Sequence, residues 1–543
     1  MQTHEVTNQA PPLGGYNVFE SDRALAEALH REGAGWAEDA CRELGEIAGS
    51  ETAQAWGVQA NVNTPVLRTH DRYGNRIDEV EFHPSWHSVL GESVHHGIHA
   101  MPWIEPRPGA HAARAAMMVL TSGFEAGHGC PISMTYASMP VIRGEPQLAA
   151  TWESALTSLE YDPRLVPLDE KFGGALCGMA MTEKQGGSDV RANTTRAQAV
   201  NGDGEYVLTG HKWFCSAPMS DAFLVLAQAS DGLTCFFLPR VLPDGTRNAF
   251  HIQRLKDKLG NRSNASSEVE FDRAWARRVS EEGRGVRTII DMVNLTRLDC
   301  VLGSTGLMRR AVAEAIHHAD HRMAFGKLLV DHPLMGNVLA DLSLESEAAT
   351  VLAMRLARSV DEAETDERAA SFRRIAVAVG KFQVCKVASG VVGEALECLG
   401  GNGYVEESGM PRLYRETPLN SIWEGSGNVN ALDVLRAISK QPESVEVFFE
   451  EIEESRGSDR RLDAFVDALR ADLADPEERQ GRALVERLAL ALQGSLLVRH
   501  APPPVADAFC ATRLGDAGGR GFGTLPAGVD TAAIVDRHRP RLD

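Results

Sequence analysis

Several features that would mark a specialised class are scarce in this chain. Its 543 residues include nine cysteines, an odd number, scattered from Cys41 to Cys510 without a single Cys-x-x-Cys. That pattern excludes a disulfide framework of the small secreted kind and a structural zinc site, and it fits reduced thiols. No run of 18 apolar residues occurs, so no transmembrane helix is expected. The opening Met-Gln-Thr-His-Glu, leading to Pro11-Pro12, lacks a basic stretch followed by an apolar one and does not read as a signal peptide. Positive charge is also short, with 55 Lys+Arg against 75 Asp+Glu and a net charge of −20. An acidic surface of that size disfavours non-specific adhesion to nucleic acid or to an anionic membrane. Aromatics are only 6%, but 43% of residues are hydrophobic and 24% charged, an ordinary globular mixture. At roughly 150 residues per domain, about three or four domains are expected. These features predict a soluble, cytoplasmic, multi-domain protein with no membrane partner.

The patterning changes twice along the chain. Residues 1–176 read as mostly helical, with Asp22 as an N-cap before Leu25, Leu29, Trp36 and Leu44, and an Ala/Met/Leu-rich helix from Gly109 to Gly123. His70 to Phe82, with Asp71-Arg72-Tyr73-Gly74-Asn75, reads as a surface excursion. Residues 177–282 read as an antiparallel β-domain. Short β-branched or aromatic runs at 205–210, 222–229, 234–238 and 268–272 are divided by Asp203-Gly204, Asp231-Gly232 and Asp244-Gly245. Residues 283–440 return to helical spacing, enough for a four-helix bundle, and residues 441–543 form a further helical region broken by Pro502-Pro503-Pro504. The expected class is α+β, with helices before and after a β-domain.

Five strings carry candidate chemistry. Met181-Thr182-Glu183-Lys184-Gln185-Gly186-Gly187-Ser188 offers hydroxyls and bare backbone to a flavin edge or a phosphate, or is a plain turn between strands. Lys212-Trp213-Phe214-Cys215 is either an aromatic core strand or a wall for an isoalloxazine ring. In Trp423-Glu424-Gly425-Ser426-Gly427-Asn428 a carboxylate beside an indole suits a general base, or simply precedes a helix capped by Ser426. Arg322-Met323-Ala324-Phe325-Gly326 can clamp a pyrophosphate or compensate a helix end. Leu399-Gly400-Gly401-Asn402-Gly403 leaves backbone open to an adenosine diphosphate. His95, His96 and His99 have helical ligand spacing but no carboxylate or thiol partner, so no metal is expected.

Taken together and in this order, these strings resemble the acyl-CoA dehydrogenase family over residues ~110–440. Over its whole length the chain is similar to the AidB-like branch, the adaptive-response flavoproteins. Asn61-Val62-Asn63, Cys130-Pro131-Ile132-Ser133, Leu255 to Ser266 and Pro411 to Glu416 support that branch, as does the extension of about a hundred residues. The resemblance implies non-covalent FAD between the β-domain and the bundle of a homotetramer, and α,β-dehydrogenation of an acyl-CoA thioester. It implies that Met181, Thr182, Gly187 and Ser188 line the flavin and pyrophosphate. Trp213, Phe214 and Cys215 would lie at the ring, and Ser426 and Asn428 would complete the same site. Arg322, Phe325, Gly400 and Gly401 would reach the FAD of a neighbouring subunit. Glu424 would be the base. Some members carry the base just before an arginine matching Arg297, where this chain has Thr296.

Three departures modify the expectation. Cys215 stands where many members have Thr, Pro333 where a Gln commonly contacts the neighbouring FAD, and Trp423 where Tyr is usual. The larger indole predicts a narrowed acyl channel and short or branched substrates, with the electron acceptor unspecified. The resemblance also raises an alternative, a flavoprotein that binds double-stranded DNA in an alkylation response. Residues 440–543 are net acidic, so that role would fall to Arg456, Arg460, Arg461, Arg479, Arg482 and Arg487 as a stripe, unless they lie on a solvated helical face.

Overall fold

The computed structural model describes residues 3–201, 204–473, 476–515 and 517–542; Asp203 of the expected Asp203-Gly204 turn lies outside them. The chain gathers into two compact units. One comprises residues 1–54, 108–124 and 297–543, the other residues 55–107 and 125–296. The N-terminal 176 residues are thus divided between both, and residues 441–543 belong to the same unit as the bundle. Spatial packing, which the linear pattern does not report, decides this.

The second unit is built on strands. The expected surface excursion is a largely exposed hairpin of β1 (Val66–His70) and β2 (Arg76–Glu81). Its turn is closed by Asp71, whose carboxylate accepts from the amides of Tyr73 at 2.8 Å and Asn75 at 2.9 Å. The main sheet holds β3 (Cys177–Ala180), β4 (Arg196–Ala199), β5 (Glu205–Ser216), β6 (Ala222–Ala229), β7 (Gly232–Pro239), β8 (Phe250–Leu255) and β9 (Ser266–Val279). Its order is β3-β6-β4-β5-β9-β7, with β8 on β9; the additional pairing of β6 with β7 closes it on itself. Most pairings are antiparallel, as expected, but β3 and β4 both run parallel to β6. Inside sit Phe223, Phe236, Phe250, Phe271, Leu208 and Cys215, with Phe223 and Phe250 stacked at 5.0 Å. Each such phenylalanine contributes about 1.5–3 kcal/mol by burial.

The other unit is helical. Helices Pro333–Glu362 and Glu367–Cys398 form its centre, and Gly380 lets them approach, since a Cβ there would stand 2.6 Å from Leu356 Cδ1. Glu367–Cys398 is long and apolar enough to cross a membrane by composition alone, but 78% of its apolar window is buried in the bundle, so it reads as a core helix. The expected N-cap at Asp22 is present, accepting from Leu25 N at 3.1 Å. A buried ion pair joins Arg114 to Asp299. The C-terminal region straps back onto Pro333–Glu362 through Arg513 with Asp341 and Glu345, and through Arg537 with Glu347.

Candidate active site

In the β-unit, residues 181–188 leave β3 as a loop whose only buried side chain is Glu183. Its carboxylate meets Lys212 Nζ at 2.8 Å with both side chains fully buried, and accepts from Thr194 N at 2.7 Å, Thr194 Oγ1 at 2.9 Å and Thr195 N at 3.1 Å. Burial pushes the Glu183 carboxyl up, but the ammonium and these donors outweigh it and hold it well below the usual carboxylate range. Lys212 also donates to Leu226 O at 2.7 Å, so one ion pair rivets the loop to β5 and β6. Trp213 N donates to Thr182 O at 2.8 Å and Asn193 Nδ2 to Met181 O at 2.9 Å. Above this rivet Met181 and Thr182 are half-buried and Gly187 and Ser188 exposed. A Cβ on Gly187 would stand 2.6 Å from Thr182 Oγ1, so any larger residue must displace the Thr182 side chain.

The course of the strand decides which of its side chains face outward. β5 is bulged between Lys212 and Cys215, and the bulge breaks strict alternation. Trp213 and Phe214 both turn outward, Phe214 being 49% exposed, while the Cys215 thiol points into the barrel core at 0% exposure. Burial raises that thiol to about 12. A side-chain contact from Cys215 to a ligand is therefore not available; Ser216 presents the next accessible hydroxyl, 3.3 Å from Ser266 Oγ. Lys256 Nζ stands 3.3 Å from the centre of the Trp213 ring and fixes its tilt.

In the helical unit, Glu424 lies in the segment joining Met410–Asn420 to Gly427–Lys440, with φ +56°. The left-handed region costs a non-glycine residue roughly 1–2 kcal/mol, so something must hold it. The carbonyls do. Lys381, 1% exposed, donates to Trp423 O at 2.9 Å and Gly425 O at 2.5 Å. Arg297 Nε donates to Glu424 O at 3.0 Å, its own Nη1 paired with Asp433 at 2.8 Å. Asn430 Nδ2 donates to Gly425 O and Ser426 O. Four successive carbonyls are thus held by three side chains. Trp423 is half-buried with its indole N–H on Asn420 Oδ1 at 3.0 Å. Ser426 begins the next helix without using its hydroxyl as a cap, and Asn428 is exposed.

The same unit brings Arg322, Phe325, Gly400 and Gly401 to two neighbouring exposed segments. β10 (Met323–Ala324) and β11 (Lys327–Leu328) form a hairpin with Phe325 and Gly326 at the tip, both at positive φ, and Phe325 is 100% exposed. Gly400 to Tyr404 is a single 3₁₀ turn. Pro333 starts the helix after the hairpin, beside an exposed Leu334.

The arginines named as a stripe include an exposed Arg460, and four of the others make ion pairs. Arg456 pairs with Glu453 and Asp467, Arg461 with Asp459 and Asp507, Arg479 with Glu477 and Arg487 with Asp472. Arg482 lies over the Phe382 ring. His96 Nδ1 lies 3.0 Å from Glu92 O and His99 Nε2 3.1 Å from Ser158 O. All nine cysteines are buried and unbridged.

A flavin dinucleotide requires a flat apolar face, polar donors for the ring edge, and bare backbone for a diphosphate. Trp213 offers an apolar ring with Phe214 set edge-on to it at 6.5 Å, and Ser216 offers a hydroxyl. At Gly186 (φ +151°) a Cβ would meet nothing within 4 Å, and the same holds at Gly400 and Gly401. The donor set of each unit, taken by itself, fits that group.

Family models match in chain order. The adaptive response protein AidB N-terminal domain covers residues 8–163, the acyl-CoA dehydrogenase middle domain 178–274, and the acyl-CoA dehydrogenase C-terminal domain 283–439. AidB of Escherichia coli (strain K12) is 48% identical over 520 residues, which are 95% of this chain and 96% of that protein. Acyl-CoA dehydrogenase family member 11 of Caenorhabditis elegans is 30% identical over 460 residues, 81% of this chain and 73% of that one. The crystal structure of Caenorhabditis elegans ACDH-11 in complex with C11-CoA superposes with a TM-score of 0.86 at 27% identity, over 95% of each chain.

Proposed function

Starting from the premise that the chain belongs to the acyl-CoA dehydrogenase family, in its AidB-like branch, we propose that it is an FAD-dependent oxidoreductase that desaturates an acyl-CoA thioester between Cα and Cβ, with Glu424 as the base. The observation that carries this is the pinned, left-handed Glu424. A carboxylate held in a strained conformation by a lysine, an arginine and an asparagine on its own backbone is preorganised for one geometry.

The α-proton of a thioester is weakly acidic, so the base must be aimed at it before reaction. Lys381, Arg297 and Asn430 do this through the main chain. FAD, when bound, supplies the acceptor for the hydride leaving Cβ. Met181, Thr182, Gly187 and Ser188 would hold its diphosphate side, Trp213 and Phe214 its ring face, and Ser216 would donate to the ring edge in place of Cys215. Ser426 and Asn428 would contribute from the helical unit. In a homotetramer, Arg322, Phe325, Gly400 and Gly401 would serve the cofactor of a neighbouring subunit. Trp423 beside the base favours short or branched acyl groups, whereas the nematode relative was crystallised with C11-CoA.

Anaerobic titration of the purified yellow protein with short, branched and C11 acyl-CoAs tests the reading by the loss of the visible flavin band. Bleaching by one of them, absent in Glu424→Gln, is expected. An FAD-replete protein that none of them reduces overturns the dehydrogenase reading and makes duplex-DNA binding the next assay.

A further inference from the structure

The hairpin that carries Arg322 and Phe325 is too short to hold its own shape. Two backbone pairings close it, and its tip combines a fully exposed phenylalanine with a left-handed φ of +50°. Isolated two-stranded ribbons are marginal in water. Some support is local, from His332 Nε2, 2.9 Å from Ala324 O, and from Leu329 N donating to Arg322 O at 2.8 Å; the rest comes from the far end of the chain. The side-chain amide of Asn8 pairs with both main-chain groups of Met323, donating from Nδ2 to Met323 O at 2.9 Å and accepting from Met323 N at 2.7 Å. The amide thus imitates one rung of a strand ladder. Arg322 Nη1 donates to the Asn8 carbonyl. The adjacent Gln9 Oε1 accepts from Asn402 Nδ2 at 3.3 Å, reaching the glycine turn. Asn8 has φ +56°, a conformation asparagine tolerates better than most residues. Behind it the arm is anchored by His317 Nε2, 2.9 Å from Pro11 O, and by Arg310 Nη2 donating to Leu13 O at 3.1 Å.

We propose that Asn8 and Gln9 form a clasp that sets the Arg322–Phe325 hairpin and the Gly400–Tyr404 turn in register, so that together they present one dinucleotide-binding edge to a second copy of this chain. Asn8 is a positioning residue, acting through Arg322 and Met323. The inference rests on the reading of that edge as a contact for the neighbouring subunit's FAD. It adds that the edge is assembled from the N-terminal arm, the hairpin and the turn.

The experiment compares Asn8→Gly, Asn8→Ala and Arg322→Ala in the full-length protein reconstituted with FAD. Glycine keeps the left-handed backbone and removes only the amide, which separates the clasp from backbone strain. Asn8 is exposed, so its loss should leave the melting temperature of the FAD-free protein unchanged. The expected result is faster amide exchange at Met323 and an FAD dissociation constant raised about threefold to tenfold in both Asn8 variants, with a larger rise in Arg322→Ala. Unchanged exchange at Met323 overturns the clasp. Faster exchange with unchanged FAD affinity, while Arg322→Ala binds FAD more weakly, overturns the role of the clasp and leaves the edge standing. Unchanged FAD affinity in all three overturns the reading of the edge, and the clasp's role with it.

Discussion

Loop 181–188 in the β-unit and segment 421–428 in the helical unit are both immobilised by a buried lysine, but at different levels of the chain. Lys212 grips a side chain, the Glu183 carboxylate, in an ion pair sealed at 0% exposure. Lys381 grips main chain, the carbonyls on either side of Glu424. The difference follows from what each segment must present. The first offers backbone and small hydroxyls upward, so a downward side chain can be given over entirely to anchoring. The second is held through its peptide groups, which fixes the direction of the Glu424 backbone. Anchoring a side chain removes that residue from chemistry, whereas anchoring the backbone does not.

The largest effect that sharpens this contrast is Glu424→Gln. It keeps every carbonyl contact of the segment and removes the base, so flavin reduction by acyl-CoA should fall by about 10²–10⁴-fold with FAD retained. Stopped-flow absorbance measures it. Next in size is Glu183→Gln, which leaves the Lys212 ammonium buried without its carboxylate. Breaking such a pair costs about 3–5 kcal/mol, so a lower melting temperature and FAD loss should appear together by differential scanning fluorimetry and flavin release. The pH dependence follows in sign. The folded-state titration of Glu183 lies below its ordinary value of 4.5. Its stabilisation is therefore complete above that value and is lost as pH falls through the lower folded-state one. Acid-induced FAD release should be steeper in the parent than in Glu183→Gln. Lys381→Met comes third: kcat should fall about tenfold to a hundredfold, as expected for a base aimed less well, while KM and FAD content change little. Loss of FAD in Lys381→Met would mean that the two lysines do not divide the work in this way.

How much of this was legible in the sequence depends on how local each feature is. The order of helices, strands and helices was legible, as was the position of Glu424, because Trp423-Glu424-Gly425-Ser426 and the glycine strings are contiguous. The N-cap at Asp22 was legible for the same reason. The division into two units was not, since residues 108–124 join the bundle across a long stretch of chain. Nor were the grips of Lys381 and Arg297, which reach Glu424 from two other helices, or the clasp of Asn8 on Met323. Nor was the anchoring role of Glu183, since only the fold shows its carboxylate against Lys212.

The smallest predicted effect concerns Cys215, whose side chain lies in the barrel core. Counting by twos from the buried Lys212 along a regular strand sends Phe214 inward and Cys215 outward. The bulge between Lys212 and Cys215 inserts one residue and reverses that assignment. Two single substitutions separate the alternatives. Cys215→Ala trims a core side chain packed among Phe223, Phe250 and Phe271 and should lower stability by roughly 1 kcal/mol, with FAD affinity unchanged once the protein is folded. Ser216→Ala removes an accessible hydroxyl and should leave the melting temperature of the FAD-free protein alone while weakening FAD binding about threefold to tenfold. If Cys215→Ala instead loosens FAD and Ser216→Ala does not, the bulge does not set which side chain meets the ring, and the β-unit presents its ligand through the backbone of β5.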